Sequence, residues 1–144
     1  MPYPEYLIAP MRNELTDIGV QECRTPAAVD EVLKSPGVTM MVVNSVCGCA
    51  AGKARPGIAQ ALQHANKPDT LATVFAGADV EATERARGYM TGFPPSSPSV
   101  ALFRDGKLVY MVERRDIEMR SAQGIADLLT MAFDKYCAPE TASA

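Results

Sequence analysis

Tryptophan is absent from this chain of 144 residues, and clusters of basic residues are missing as well. The formal net charge is −3, so the sequence lacks the basic stripe that nucleic-acid-binding surfaces carry. The densest basic run is Glu-Arg-Arg-Asp at residues 113–116, where the acids balance the bases. We expect this run to be a solvated turn, and we expect no nucleic-acid partner.

Long apolar runs are also missing. No stretch approaches the roughly 20 apolar residues that a membrane-spanning helix needs. Residues 1–6 do not combine a basic segment with an apolar one, so they are not typical of a secretory signal. We therefore expect no membrane partner and a cytoplasmic location, where thiols are kept reduced. The four cysteines are then expected to be reactive, metal-ligating or buried thiols rather than a structural disulfide framework.

Apolar residues make up 47% of the chain, which is typical of a folded globular protein rather than a disordered one. The length fits one domain with a sizeable core, and neither a repeat nor a linker interrupts it. We predict a single domain over residues 1–144, with an ordered core at about residues 3–137 and a flexible tail at 138–144.

The spacing of apolar residues predicts an alternation of helices and strands. Helices are predicted at 5–18, 25–33, 50–65, 80–90 and 121–136, and strands at 20–23, 38–43, 71–76, 99–103 and 108–112. The runs at 38–43 and 71–76 do not alternate, so both faces of these strands should be covered, as in central parallel strands. Asp105-Gly106 between the last two strands is a strong hairpin signal. The predicted fold class is α/β, with a central mixed sheet flanked by helices and one extra helix at the N-terminus.

The residues best suited to chemistry are two cysteines separated by a glycine, Cys47-Gly48-Cys49, where a buried strand gives way to a helix. The N–H groups at a helix start are unpaired and carry a partial positive charge. They favour a thiolate and lower its pKa. The motif is therefore predicted to be a thiol–disulfide redox site, with Cys47 as the nucleophile.

The residues around the motif support the same interpretation. Asn44 or Ser45 is expected to cap the helix and to place the first cysteine in its first turn. Lys53 and Arg55 add positive charge nearby. Pro56 removes one backbone N–H, so it is expected to kink or restart the helix, although a loop before it is equally allowed.

A disulfide between Cys47 and Cys49 is feasible but tight. The Cα atoms of a disulfide lie about 4.4–6.8 Å apart, whereas two extended steps span up to about 7 Å. The chain must therefore bend between the cysteines, and Gly48 is the residue best able to bend. Strained disulfides are easily reduced, which favours an oxidant, an isomerase or a mixed-disulfide exchanger over a powerful reductant.

Two other interpretations of the motif remain open. The two cysteines could be small core residues, although a pair at a strand–helix junction makes this the less favoured view. They could also bind Cu(I) or supply half of a Zn site, as a metal-binding thiol module, but further ligands are not evident. His64 lies 15 residues after Cys49, about 22 Å along a continuous helix, and is expected to be a surface residue at the helix end.

The remaining cysteines are expected to be structural. Cys23 falls in the first predicted strand and should be a small core residue. Cys137 ends the last predicted helix and should be a partly buried thiol. A resolving role for Cys137 would require the C-terminus to approach Cys47.

A proline stands at the start of the predicted strand at 99–103, in the segment 95–99 (Pro-Ser-Ser-Pro-Ser). The order of helices and strands resembles that of thioredoxin-like domains, which carry a cis-proline at this place, packed against the redox motif. The resemblance implies a cis Ser97–Pro98 bond. It also implies that backbone groups beside the proline pair with a bound thiol substrate.

From about residue 3 to residue 137, the chain resembles the bacilliredoxins. The resemblance is carried by Asn-Ser-Val-Cys-Gly-Cys-Ala-Ala-Gly at 44–52 and by the segment at 95–99, with shorter matches at 9–12, 14–16, 74–77 and 91–92. It implies a thiol–disulfide oxidoreductase that removes bacillithiol from S-bacillithiolated proteins. By resemblance, Cys47 attacks the mixed disulfide, and Cys49 or a free thiol resolves the product.

The same resemblance implies a set of partners and site residues. The expected partners are bacillithiolated client proteins and a low-molecular-weight thiol, with bacillithiol as co-substrate and no bound cofactor or metal. Weak disulfide isomerase or reductase activity is also implied. The residues expected near the substrate are Ser45, Gly48, Ser97 and Pro98.

Overall fold

A computed structural model describes residues 3–137 of the chain, so the predicted tail at 138–144 lies outside the described residues. Five strands form one sheet in the order β1-β3-β2-β4-β5. The strands are β1 (Gln21–Glu22), β2 (Val38–Asn44), β3 (Thr70–Phe75), β4 (Ser99–Arg104) and β5 (Lys107–Val112). The helices are α1 (Glu5–Thr16), α2 (Pro26–Leu33), α3 (Arg55–Ala61), α4 (Val80–Tyr89), α5 (Arg114–Glu118) and α6 (Ala122–Tyr136), and a π-helical segment (Ala50–Ala54) runs directly into α3.

The central strand of the sheet is β2, and all seven of its residues are buried. It pairs in parallel with β3 and antiparallel with β4, which confirms the predicted mixed sheet. Successive side chains of β2 enter different cores. Met40 and Val42 pack in the cluster that includes residues of α3 and α6, while Met41 and Val43 pack in the cluster that includes residues of α2 and α4. Both faces are therefore covered, which explains why the run does not alternate with polar residues.

The hairpin between β4 and β5 is confirmed. Its two turn residues both have positive φ, 51° at Asp105 and 84° at Gly106. This is the backbone that lets a two-residue turn follow the twist of the strands. Asp105 also exchanges hydrogen bonds with Gly37, since its N–H donates to the Gly37 carbonyl (2.9 Å) and its carboxylate accepts from the Gly37 N–H (3.0 Å).

The extra N-terminal helix is confirmed as α1, which ends at Thr16 rather than at residue 18. Arg12 is buried and ties α1 to the sheet and to the start of α4. Its guanidinium donates to Asp79 (2.8 Å) and to Glu5 (3.0 Å) and lies over the ring of Phe75. None of the helices within residues 3–137 is long and apolar enough to cross a membrane.

The prediction for residues 113–116 is wrong. The run is not a solvated turn, because Arg114 begins the short helix α5 and Glu113 caps it. The Glu113 N–H donates to the Asp116 carboxylate (3.0 Å), and the Glu113 side chain accepts from the backbone in return. The helix forms because Ile117 is fully buried in the core, a tertiary contact that the charge pattern does not reveal.

Two helix glycines differ in the space around them, so their substitutions should have opposite effects. Gly57 lies where α3 packs against α6, whereas Gly88 faces open space. A Cβ at Gly57 would lie 2.8 Å from Ile125 Cγ2 and 2.9 Å from the Ala122 carbonyl, so Gly57→Ala should force the helices apart and lower the free energy of unfolding by about 1–3 kcal/mol. A Cβ at Gly88, in α4, would meet nothing within 4 Å, so Gly88→Ala should stabilise by up to about 1 kcal/mol. Urea unfolding of both variants measures this, and an equal response would contradict the close helix contact.

Candidate active site

The two cysteines lie at the carboxyl end of the central strand. The strand β2 ends at Asn44, and helical turns begin at Gly48, so Cys47 stands at the cap of the helix rather than inside its first turn. Its carbonyl accepts hydrogen bonds from the N–H groups of Ala50 (3.1 Å) and Ala51 (3.2 Å). The sulfur of Cys47 lies beside the N–H groups of Cys49 and Ala50 at the same helix start.

The sulfurs of Cys47 and Cys49 are in direct contact, 2.7 Å apart, and both residues are free thiols in half-buried positions. The helical turn itself brings them together. Gly48 lies within that turn without a positive φ, and a Cβ on it would meet nothing within 4 Å. The bend expected between the cysteines is therefore supplied by helix geometry and not by a conformation reserved for glycine.

The surroundings make the two thiols unequal. Burial acts to raise the pKa of Cys47, but hydrogen bonds to its sulfur from the Cys49 thiol, the Ser45 hydroxyl and the backbone N–H groups of Ala50 and Cys49 outweigh burial and lower it. Burial raises the pKa of Cys49, and so do the hydrogen bond to Cys47 and its charge, against a smaller opposing effect of Arg114. Cys47 is thus the more acidic thiol of the pair, and the thiolate is the form that attacks disulfides.

A buried guanidinium fixes the turn that leads into the cysteines. Arg55 is only 2% exposed, and its Nη1 donates to the Asn44 side-chain oxygen (2.9 Å) and to the Ser45 carbonyl (2.8 Å). The same Asn44 oxygen accepts from the Ser45 N–H (2.8 Å), and the Ser45 hydroxyl accepts from the Cys47 N–H (3.3 Å). An unbroken chain of hydrogen bonds therefore runs from Arg55 to Cys47.

The extra helix α1 completes this network. Glu14 accepts a hydrogen bond from Arg55 Nε (3.0 Å), and the Met11 carbonyl accepts one from the Asn44 side-chain amide (3.3 Å). A buried charge lowers the stability of the fold unless partners compensate for the lost water, and the Glu14 carboxylate is one such partner of Arg55. The helix in front of the sheet thus supports the cysteine turn from behind.

The Ser97–Pro98 peptide bond is cis, as predicted. Pro98 is buried and directly precedes β4, whose first residue, Ser99, pairs with Val43 of β2. This register places the proline level with the end of β2, where the turn to Cys47 begins. Arg114 holds the same loop, since its Nη1 donates to the Ser97 carbonyl (3.3 Å).

The other two cysteines lie away from this site. Cys23 is fully buried in the core formed with α2 and α4, as predicted, and burial together with the charge of Asp79 raises its pKa to about 11. Burial and the charge of Asp69 likewise raise the pKa of Cys137 to about 11. Both side chains therefore remain thiols near neutral pH.

The position of Cys137 argues against a resolving role. Its neighbours include Asp69, which binds the N–H of Val38 at the start of β2, and Arg104, which pairs with Val38 in the sheet register. Cys47 follows the opposite end of β2, roughly 20 Å away at about 3.3 Å per residue. The fold therefore separates Cys137 from the reactive pair by the length of the central strand.

The structure gives the cysteine pair no further metal ligands within residues 3–137, where no group of three or more His, Cys, Asp or Glu side chains could hold a metal ion. His64 lies beyond the end of α3 and is partly exposed, with its Nε2 2.7 Å from the Asp134 carboxylate. Two thiolates alone fall short of the four ligands usual for structural zinc. The described residues therefore do not complete a zinc site of the usual kind around the pair.

Three contributors to the site were not identified as such from the sequence. Arg55 was considered only as nearby positive charge, Arg114 was assigned to a solvated turn, and Glu14 was given no role. Each of the three contacts residues that are distant in the sequence, so no local motif identifies it. The burial of a charged side chain is the signal that identifies Arg55, and it exists only in the folded chain.

Solved structures with the same arrangement of elements are thioredoxins. The oxidised thioredoxin of Plasmodium falciparum superposes with a TM-score of 0.59 at 16% identity, covering 83% of this chain and 100% of that one. A mutant thioredoxin from Halobacterium salinarum gives a TM-score of 0.59 at 18% identity, covering 85% of this chain and 94% of that one. The fold is thus thioredoxin-like.

Sequence relatives show which family of thioredoxin-like proteins the chain belongs to. A family model described as disulphide isomerase matches residues 3–137. A bacilliredoxin of Koribacter versatilis is 60% identical over 136 residues, covering 94% of both chains. A bacilliredoxin of Cytophaga hutchinsonii is 54% identical over 133 residues, covering 92% of this chain and 98% of the relative. The chain belongs to the bacilliredoxin family.

The hydrogen bond from Ser45 to the Cys47 sulfur predicts a shifted pH profile. Ser45→Ala removes a group that lowers the pKa of Cys47, so this pKa should rise and less thiolate should be present at neutral pH. The rate of iodoacetamide labelling of Cys47 against pH measures this, and its midpoint should move to higher pH. Ser35→Ala, in the turn before β2, is the matched control. An unshifted midpoint in Ser45→Ala would contradict the hydrogen bond.

The Arg55 network predicts coupled losses of stability and reactivity. Arg55→Met keeps the apolar stem but removes the hydrogen bonds to Glu14, Asn44 and Ser45. We expect the free energy of unfolding to fall by about 2 kcal/mol and Cys47 to react more slowly in the folded protein. Glu14→Gln keeps an acceptor at a half-exposed position and should cost less than about 1 kcal/mol. Urea unfolding and labelling rates test both variants, and a reactive, fully stable Arg55→Met protein would refute this role.

Proposed function

We propose that this protein removes bacillithiol from S-bacillithiolated proteins, with Cys47 as the nucleophile. The observation that carries the proposal is the pair of contacting sulfurs at the start of the helix (2.7 Å), whose surroundings lower the pKa of Cys47 and raise that of Cys49. Relatives that are 60% and 54% identical are named bacilliredoxins, and they cover nearly the whole chain. These names support bacillithiol as the small thiol.

The reaction is a thiol–disulfide exchange and needs no external electron acceptor. The Cys47 thiolate attacks the bacillithiol sulfur of the mixed disulfide, and the bond between that sulfur and the client sulfur breaks. The client leaves as a thiolate and takes a proton from water, while bacillithiol stays bonded to Cys47. This order returns the client to its reduced form in one displacement.

Two thiols are candidates for resolving the product. A second bacillithiol thiolate can attack the Cys47 adduct, which frees Cys47 and releases bacillithiol disulfide. Alternatively, the Cys49 thiolate attacks Cys47 and expels bacillithiol, leaving a Cys47–Cys49 disulfide that a further thiol must reduce. The contact between the two sulfurs supports the second route, and the raised pKa of Cys49 slows it until the thiol is deprotonated.

The cis-proline loop is proposed to align the substrate. Pro98 is buried level with the end of β2, and Ser97 lies at the surface of the same loop. We assign substrate-adjacent positions to Ser97 and Pro98 on one side and to Ser45 and Gly48 on the other. The same exchange chemistry, applied to a protein disulfide instead of a mixed disulfide, would give isomerase or reductase activity.

Single-cysteine variants test the proposal directly. A bacillithiolated client protein is incubated with each variant, and intact-protein mass spectrometry follows bacillithiol from the client to the enzyme. Cys47→Ser should leave the client modified, because the nucleophile is missing. Cys49→Ser should still accept bacillithiol and should accumulate the Cys47 adduct until free bacillithiol is added.

The control is Cys137→Ser, which should behave like the wild type because the structure places that thiol at the far end of the sheet. Full activity of Cys47→Ser would refute the mechanism. Failure of the wild-type protein to take bacillithiol from any client would refute the assigned substrate.

A further inference from the structure

A cleft opens between the loop at residues 92–96 and the short helix α5. Its volume is about 470 Å³, within the roughly 300–1,000 Å³ typical of small-molecule sites. One wall is apolar and the other is charged. The residues that matter here are Phe93 and Pro94 on the first wall and Glu113, Arg114, Arg115 and Glu118 on the second.

The cleft adjoins the cysteine pair. Arg114, on its charged wall, donates to the carbonyl of Ser97, the residue before the cis-proline (3.3 Å). Lys53, in the π-helical segment that follows Cys49, donates to the carbonyl of Glu118 on the same wall (2.7 Å). The charge of Arg114 is also close enough to Cys49 to favour its thiolate. A group bonded to the cysteine pair therefore has this cleft beside it.

Two guanidiniums and one carboxylate face the solvent side of the cleft. The side chains of Arg114, Arg115 and Glu118 are 45%, 80% and 53% exposed. The Glu113 side chain is 11% exposed and accepts hydrogen bonds from Arg115 Nη2 (3.3 Å) and from the backbone of α5. Glu118 approaches Arg114 Nε only to 3.6 Å, which is longer than a hydrogen bond. A guanidinium has five N–H donors, and acceptors within residues 3–137 bind one of those of Arg114. Donors therefore remain for an anionic ligand.

We propose that this cleft binds a carboxylate of the small thiol in the mixed-disulfide substrate, with Arg114 as the main contact and Arg115 as the second. The inference rests on the proposed function, because it locates the group that Cys47 removes. The planar fork of a guanidinium matches the two oxygens of a carboxylate and binds it more specifically than an ammonium does. The volume of the cleft fits a small molecule rather than a segment of folded client.

The test compares two adducts that differ in carboxylate charge. A reporter peptide is prepared as a mixed disulfide with glutathione or with glutathione dimethyl ester, and the release of its thiol is timed with reduced protein in single turnover. We expect the wild type to prefer the glutathione adduct. Arg114→Gln should lose about tenfold of that preference, the order expected for one charge-assisted hydrogen bond. The preference is read as the ratio of the two rates, so any slowing that the lost contact with Ser97 causes in both reactions cancels.

Two variants serve as controls. Arg114→Lys keeps the charge without the planar fork and should retain part of the preference. Arg104→Gln makes the same change of charge at the opposite end of the sheet, beside Tyr136, and should keep the whole preference. Urea unfolding of Arg114→Gln beside the wild type shows independently that the variant is folded.

Three outcomes would overturn the inference. One is an unchanged preference in Arg114→Gln, and a second is equal slowing with both adducts, which would show that Arg114 only holds the Ser97 loop. The third comes from a parallel reaction with a bacillithiol adduct of the same peptide. If the wild type does not react with that adduct, the proposed function fails and the inference fails with it. If it reacts and Arg114→Gln reacts equally fast, only the inference fails.

Discussion

The buried guanidinium of Arg55 is the interaction on which the reactive end of this protein depends. Removing a charge from water is unfavourable unless partners replace the lost solvent. Here the partners are a carboxylate from α1 and two oxygens from the turn that follows the central strand. Arg55 in α3 thus joins α1 to the turn after β2, and these bonds hold the turn in one conformation. The sulfur of Cys47 is then fixed at the helix start, where the N–H groups meet it.

This arrangement explains how one short motif holds two different thiols. Cys47 and Cys49 flank the same glycine and touch each other, yet only Cys47 lies where the backbone N–H groups and the Ser45 hydroxyl converge. Cys49 is one half-turn further along the helix and experiences burial and the neighbouring sulfur instead. Burial is the largest cause of the raised pKa values of Cys23 and Cys137, and nearby carboxylates add to it. The surroundings of each sulfur therefore give the four cysteines different pKa values.

Much of the fold follows from short-range patterns in the sequence. The unbroken apolar run of β2 and the Asp105-Gly106 turn are local signals, and each appears in the structure at the predicted place. For the helix after the cysteines, the sequence predicts a kink, a restart or a preceding loop at Pro56, but not a π-helical segment. The helix begins as a π-helical segment and restarts as an α-helix around Pro56, where the predicted interruption falls. The prediction of a turn at 113–116 is wrong because a balance of acids and bases is equally typical of a solvated turn and of a short capped helix.

The sequence by itself determined the α/β class, the order of elements and the place of the cysteines between a buried strand and a helix. It did so because apolar periodicity, turn residues and helix-breaking residues act over a few positions. Only the tertiary structure decided that α1 supports the cysteine turn through Arg55 and that α5 brings Arg114 to the cis-proline loop. These contacts join residues 41 and 17 positions apart, and no local pattern encodes them. Their free energy comes from pairing charges and hydrogen bonds that are buried only when the whole chain has folded.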